Sequence, residues 1–329
     1  MGEANRASTA AAYTAPGYTA PGYTAPGHTA ATYTAPANVD QAGLSPAQRM
    51  WRLFEPVHAV TYFAPASVTA WEDAGLRGYW RGYFAGRASP LGRVEAGPVV
   101  GAFFGFAPAM VGRALPELWT RIAPEKALVV RLDGARAALG PLVAGIAPDD
   151  LAELASLLRS AAEQLPVGGR VLGAANAALP WPDDPLGALW QAATVLREHR
   201  GDGHITALVA AGLDGPESLA WRVARGGVDR AFYQQIRGWT DTEWDAAASR
   251  LRARGWLDAS GAATEAARTA AHDLEATTDR LASAPWQALG PAAVDRAATL
   301  LTPLARAAAD LLMWPNPVGV PDPRATPAR

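Results

Sequence analysis

Across residues 197–204 the chain reads Arg-Glu-His-Arg-Gly-Asp-Gly-His, a run of polar and ionisable side chains in a protein that is 50% hydrophobic. Two of its five histidines, His199 and His204, stand here beside Glu198 and Asp202. A histidine near its ordinary pKa moves protons at neutral pH, and a neighbouring carboxylate can tune it or take the complementary role. Far upstream, Glu55, His58 and Tyr62 follow one another at three- and four-residue steps, the spacing that puts side chains on one helix face. The chemistry this set supports is acid–base transfer by His58, Glu198, His199 or His204, with Glu55, Tyr62, Arg197 and Asp202 as ligand-binding partners. It requires the two clusters to meet at one cleft.

Each motif also has a purely structural reading. Gly201 and Gly203 permit the left-handed end of a helix, and Asp202 can cap a helix beginning near His204. On that reading 197–204 is a turn between two apolar helical patterns, one carrying Leu186, Leu189, Trp190, Ala193 and Leu196, the other Ile205, Leu208, Val209 and Leu213. Arg197 then pairs with a carboxylate such as Glu55, and His58 is a core histidine bonded to a carbonyl. Glu55-x-x-His58 has the spacing used by di-iron bundles, but those need the motif twice, and Glu198 and His199 are adjacent. Two histidines and a carboxylate would suffice for a mononuclear site; no metal is assigned.

Tyr79, Trp80, Tyr83 and Phe84, interleaved with Arg77, Arg81 and Arg87, suit the wall of an apolar pocket with a few polar anchors, Tyr79 and Tyr83 foremost. They suit equally a helix with one core face and one solvated face. Gly78, Gly82 and Gly86 stand at four-residue steps, which allows another element to approach closely. Phe103, Phe104, Phe106 and Met110 read as core. Phosphate loop, nucleophile elbow and dinucleotide fingerprint are all missing, so no organic cofactor is expected.

The elements that must position these groups are helices. Capping and periodicity predict them from Ser45-Pro46 onward, with Pro56 interrupting the first, then at 66–74, 77–87, 95–115, 124–144 and 148–164. After a proline-rich boundary at 179–185 come 185–200, 204–212, 215–225, 228–236, 240–254, 264–283 and 289–312. Thr69–Gly78 echoes Thr206–Gly215 at a constant offset, which suggests two related helical halves. The expected fold is mainly α, the C-terminal half winged-helix-like with a minimal β-ribbon. The expected division is a disordered Tyr-Thr-Ala-Pro-Gly repeat arm (1–44), an N-terminal helical domain (45–170), a winged-helix-like helical domain (171–313) and a Pro-rich tail (314–329).

Composition narrows the functions. The chain of 329 residues has a net charge of -2 and no cysteine, which removes disulfides, thiolate metal sites and a cysteine nucleophile. Nothing resembles a signal peptide, and no apolar run is long enough to span a bilayer, so a cytoplasmic protein with no membrane partner is expected.

Residues 239–283 follow the order helix, short ribbon, helix of a MarR-like winged helix-turn-helix domain. Thr240 caps the helix that would enter the major groove, and Trp244, Ala247, Ala248 and Leu251 form its apolar face. The half of that helix that would meet bases carries Asp241, Glu243 and Asp245, and 238–283 holds eight acids against five arginines. Acids facing phosphate oppose the counterion release that supplies most DNA affinity. DNA is therefore a disfavoured partner.

Leu53–Phe63, Gly75–Arg87 and Leu196–His204 together resemble the actinobacterial SalK-type helix-turn-helix family over about 47–290. The resemblance implies the helix-turn-helix fold and suggests a regulator without establishing one. Two functions are carried forward. The first is a small-molecule binding protein of secondary metabolism, its ligand aromatic or polyketide-like, acting as a cofactor-independent acid–base enzyme if it turns that ligand over. The second is a ligand-responsive transcription regulator that binds DNA as a homodimer.

Overall fold

The computed structural model describes residues 43–314 except Gly227, together with 316, 318–320 and 322–324. The repeat arm and the last residues of the tail lie outside them. Sixteen α-helices account for most of the described residues: α1 (Pro46–Phe63), α2 (Pro65–Asp73), α3 (Tyr79–Ala88), α4 (Ala96–Phe103), α5 (Pro108–Gly112), α6 (Leu118–Arg121), α7 (Pro124–Val143), α8 (Pro148–Glu163), α9 (Val171–Ala177), α10 (Pro185–Ala210), α11 (Gly215–Ala224), α12 (Arg230–Arg237), α13 (Asp241–Ala253), α14 (Glu265–Leu281), α15 (Ala284–Leu289) and α16 (Pro291–Ala309). The mainly α expectation holds. The ribbon expected at 256–264 is a single antiparallel bridge between Leu257 and Ala263.

The largest departure from the sequence reading is α10, which runs unbroken through the expected turn at 197–204. Its apolar residues lie all round, as in a helix buried on every side, and it packs against α1, α7, α8, α9 and α14. That packing outweighs the helix cost of Gly201 and Gly203. A Cβ at Gly203 would fall 2.1 Å from Nη1 of Arg170, so the guanidinium would have to shift. That guanidinium lies against the helix and donates to the carbonyls of His199 and Leu281. Asp202 does not cap α10. It accepts the Gly173 N–H at 2.8 Å, satisfying a free donor in the first turn of α9.

Two further expectations are corrected. Helix α1 continues through Pro56, held by burial of Leu53–Tyr62 against its neighbours, although the proline removes one helix bond. The single helix expected at 95–115 breaks at Phe104, whose φ is +48°, and resumes at Pro108. Two contacts fix the break: Trp239 donates from Nε1 to Gly105 O at 2.9 Å, and the Ala107 N–H bonds Arg237 O. Gly215 completes the fit, since a Cβ there would meet Phe104 O at 2.4 Å.

Three apolar clusters fill the interior. One joins α1, α8, α10 and α16 through Phe54, Trp190, Leu196 and Leu301. A second, rich in aromatics, joins α3 to α4–α6 through Tyr83, Phe84, Phe103 and Phe106. The third lies beneath α11–α14 and holds Trp221, Tyr233, Trp244 and Leu251. The expected apolar face of α13 is thus its buried face. No described helix is long and apolar enough to cross a membrane.

Candidate functional site

Helices α1, α3 and α10 bring the distant polar clusters together in the interior, between the first two apolar clusters. Glu198 of α10 is 2% exposed and receives a two-pronged bond from Arg87 of α3, Nε to Oε1 and Nη2 to Oε2, each 3.0 Å. Its Oε2 also accepts from Arg197 at 2.8 Å. Arg197 reaches on to Glu55 of α1 at 3.2 Å, and Glu55 accepts from Trp51 Nε1 at 3.1 Å. Buried carboxylates and guanidiniums are thereby joined in one chain, which such charges need when removed from water. The paired guanidiniums hold Glu198 well below the usual carboxylate range, against a burial effect of opposite sign.

His58 stands beside this chain in a defined tautomer. Thr194 commits its hydroxyl proton to Trp190 O at 2.9 Å, so the 3.0 Å contact to His58 must be donated by Nδ1–H. Nε2 is then a lone pair, and it accepts the Tyr62 hydroxyl at 2.8 Å. Burial, reinforced by Arg197, keeps His58 well below the ordinary imidazole range in spite of Glu198. The imidazole is neutral at neutral pH and oriented as a base toward the phenol. Burial raises the Tyr62 phenol. Tyr83 goes the other way: Arg87, Arg237 and Arg197 outweigh its burial and lower it, Arg87 also donating to its hydroxyl at 3.2 Å.

Two voids adjoin these groups. The inner, a cavity of about 10 Å3, is lined by His58, Tyr62, Arg87, Arg131, Trp190 and Glu198, among others. The outer, about 20 Å3, lies between Trp71, Tyr79 and Tyr83 and reaches exposed Glu72 and Gly78. The two share Thr61, Tyr62, Trp71, Gly82 and Tyr83 as walls. The expected close approach at the α3 glycines is made by the Trp71 ring, since Cβ atoms at Gly82 and Gly86 would meet it at 2.7 and 3.1 Å.

Of the residues singled out from sequence, Glu55, His58, Tyr62, Tyr83, Arg197 and Glu198 converge here, and Tyr79 forms the outer wall. Three do not. His199 bonds Pro166 O at 3.1 Å, and burial with Arg170 pulls it down to about 4. His204 bonds Thr278 of α14 at 3.1 Å, and Asp202 serves α9. A helix turns about 100° per residue, so His199 and His204 leave the face that Glu198 presents. Arg131 and Thr194 belong to the site and were not singled out. Thr194 lies midway between Trp190 and Glu198, both singled out from sequence, whereas Arg131 falls in register with Ala127, Ala135 and Ala138, whose burial only the structure shows. Among the described residues no group of three or more His, Asp and Glu side chains could hold a metal ion.

On the α13 surface Arg230 is bonded to Asp241 and Asp245, each at 2.6 Å. Arg250 is tied to Asp214 and Glu217, and Arg254 donates to the Ala211 and Gly212 carbonyls. No curated protein and no solved structure matches the chain. A family model described as a helix-turn-helix family matches residues 47–315, which is most of the protein, and the chain belongs to that helix-turn-helix family.

Proposed function

We propose that this protein binds a small aromatic metabolite at the paired voids, whose walls part to admit it, and carries out acid–base chemistry on it through Tyr62 and His58. The observation that carries the reading is the 2.8 Å bond from the Tyr62 hydroxyl to the free Nε2 of a buried, neutral His58, at the wall of a void. Tyr62 is the group that meets the ligand: it takes a proton from the ligand as its own hydroxyl proton passes to His58 Nε2. Arg87 holds Tyr83 as a second polar anchor, while Trp71 and Tyr79 supply apolar area. The Arg197–Glu55 pair keeps Glu198, and through it Arg87, in place.

The experiment is a screen of aromatic and polyketide-like compounds by quenching of tryptophan fluorescence, since Trp71 and Trp190 both line the inner void. Binding that Tyr62→Phe and His58→Gln weaken by tenfold or more supports the reading. Compounds that bind the parent and both variants alike, or no binding by any compound, overturn it.

Family membership favours a second reading, a ligand-responsive winged-helix regulator that binds DNA as a homodimer with α13 in the major groove. The surface charges oppose it, because Arg230, Arg250 and Arg254 are engaged within the chain and the exposed start of α13 carries Asp241 and Glu243. A mobility-shift titration against the chain's own upstream DNA at low salt decides between them. A sequence-selective shift would establish regulation, and its absence would remove it.

A further inference from the structure

The inner void holds an unbalanced positive charge. Its charged walls are Arg87, Arg131 and Glu198, and Glu198 is already shared by Arg87 and Arg197. Arg87, Arg197 and Arg200 each meet a carboxylate. Arg131, only 5% exposed, meets neutral acceptors instead: Nη1 donates to Gly86 O at 3.0 Å and Nη2 to Asn176 Oδ1 at 2.9 Å. Its Nε–H is buried with no acceptor. A buried guanidinium with an unmet donor and no carboxylate bonded to it is costly, and here it borders the inner void, with Glu198 acting on it only through space. Burial draws Arg131 down to about 10, so it remains a cation at neutral pH. The outer void is walled by the rings of Trp71, Tyr79 and Tyr83.

We propose that the ligand is an aromatic acid, its carboxylate held beside Arg131 and its ring among Trp71, Tyr79 and Tyr83, the walls of the two small voids parting to admit it. This inference rests on the metabolite-binding reading above and specifies the ligand's charge. The contrary view makes Arg131 a clamp that ties α3 to α9 through Gly86 and Asn176. A clamp calls for no anion.

Three probes separate the possibilities in the full chain at fixed ionic strength, with sulfate as balancing anion: benzoate, which has ring and charge; benzamide, its neutral counterpart; and nitrate, an anion without the ring. Tryptophan quenching should be saturable for benzoate and for nitrate, with benzoate at least tenfold tighter than benzamide. Arg131→Met should abolish the nitrate response and the preference for benzoate, while Arg131→Lys, which keeps the charge, should retain most of both. Equal binding of benzoate and benzamide, or a preference that survives Arg131→Met, would overturn the anion assignment and leave an aromatic cleft standing. Failure of both ring compounds alongside an Arg131-dependent nitrate response would overturn the aromatic reading and leave the anion site. Should none of the three bind, both fall.

Discussion

The Tyr62 hydroxyl lies 2.8 Å from Nε2 of His58, whose Nδ1 lies 3.0 Å from Thr194 Oγ1. One hydrogen-bond direction runs through all three groups and ends at the Trp190 carbonyl. Long-range proton–nitrogen correlation spectra should therefore show His58 as the Nδ1–H tautomer and unprotonated well below pH 6.5. Thr194→Val removes the acceptor and should cost about 1–3 kcal/mol, the usual penalty for a buried donor left unpaired. An Nε2–H tautomer in the parent would contradict the assignment.

Arg87 and Glu198 form the most buried ion pair near the voids. Removing either partner strands the other charge, so Arg87→Met and Glu198→Leu should each destabilise the fold by about 3–5 kcal/mol. The double variant should lose much less than the two effects combined. A double-mutant cycle in urea measures the coupling, and additive losses would show that the pair does not act as a unit.

Gly201 and Gly203 of α10 should respond oppositely to alanine. At Gly201 the nearest atoms to a Cβ are 3.9 Å away, so Gly201→Ala should gain about 0.5–1 kcal/mol from helix propensity. At Gly203 the new methyl would displace Arg170 from the carbonyls it clamps, and Gly203→Ala should lose about 1–3 kcal/mol. Thermal melts of the two variants test the contrast directly.

Asp202 is raised by burial to about 6. In the unfolded chain it titrates near 3.9. Between those values the folded protein keeps a proton that the unfolded chain has released, so this group's contribution to stability falls as pH rises. The full loss, reached above pH 6, is about 3 kcal/mol. Asp202→Asn keeps an acceptor for the Gly173 N–H and should be more stable than the parent at pH 7.5, with the difference vanishing near pH 3.5. His58 and His199, held below their ordinary values, act oppositely, weakening the fold as pH falls below 6.5. The parent–variant difference isolates Asp202 from them.

Local signals in the chain were legible. Ser45, Thr240 and Thr264 cap the helices they precede, and the buried face of α13 is the one its apolar spacing marks. The repeated Ala-Gly-Leu of 74–76 and 211–213 ends α2 and α10 alike, each with a left-handed glycine and a bond from leucine back to the fifth residue before it. The same ending recurs at Gly255, so it marks a way of stopping a helix and carries no evidence of duplication. Non-local packing was illegible. Nothing near Gly203 announces that Arg170, from the segment leading into α9, needs the space of its missing side chain. Nor does the Val-Val-Arg-Leu context of Arg131 show that this arginine turns inward, since a buried cation is defined by groups distant in the chain. The meeting of His58 with Glu198 was within reach, because both clusters carry more ionisable groups than an apolar helix face would otherwise hold.

An unbroken α10 also has a mechanical meaning. Its 26 residues form a rod about 39 Å long at the usual rise per residue. Glu198 sits midway along it, and the far end, Ala207 and Leu208, is seated in the cluster beneath α11–α14. A rod without a joint transmits displacement. Any rearrangement that slides or tilts Glu198 is felt at the base of the C-terminal helices, whereas the hinge implied by a turn at 197–204 would have absorbed it.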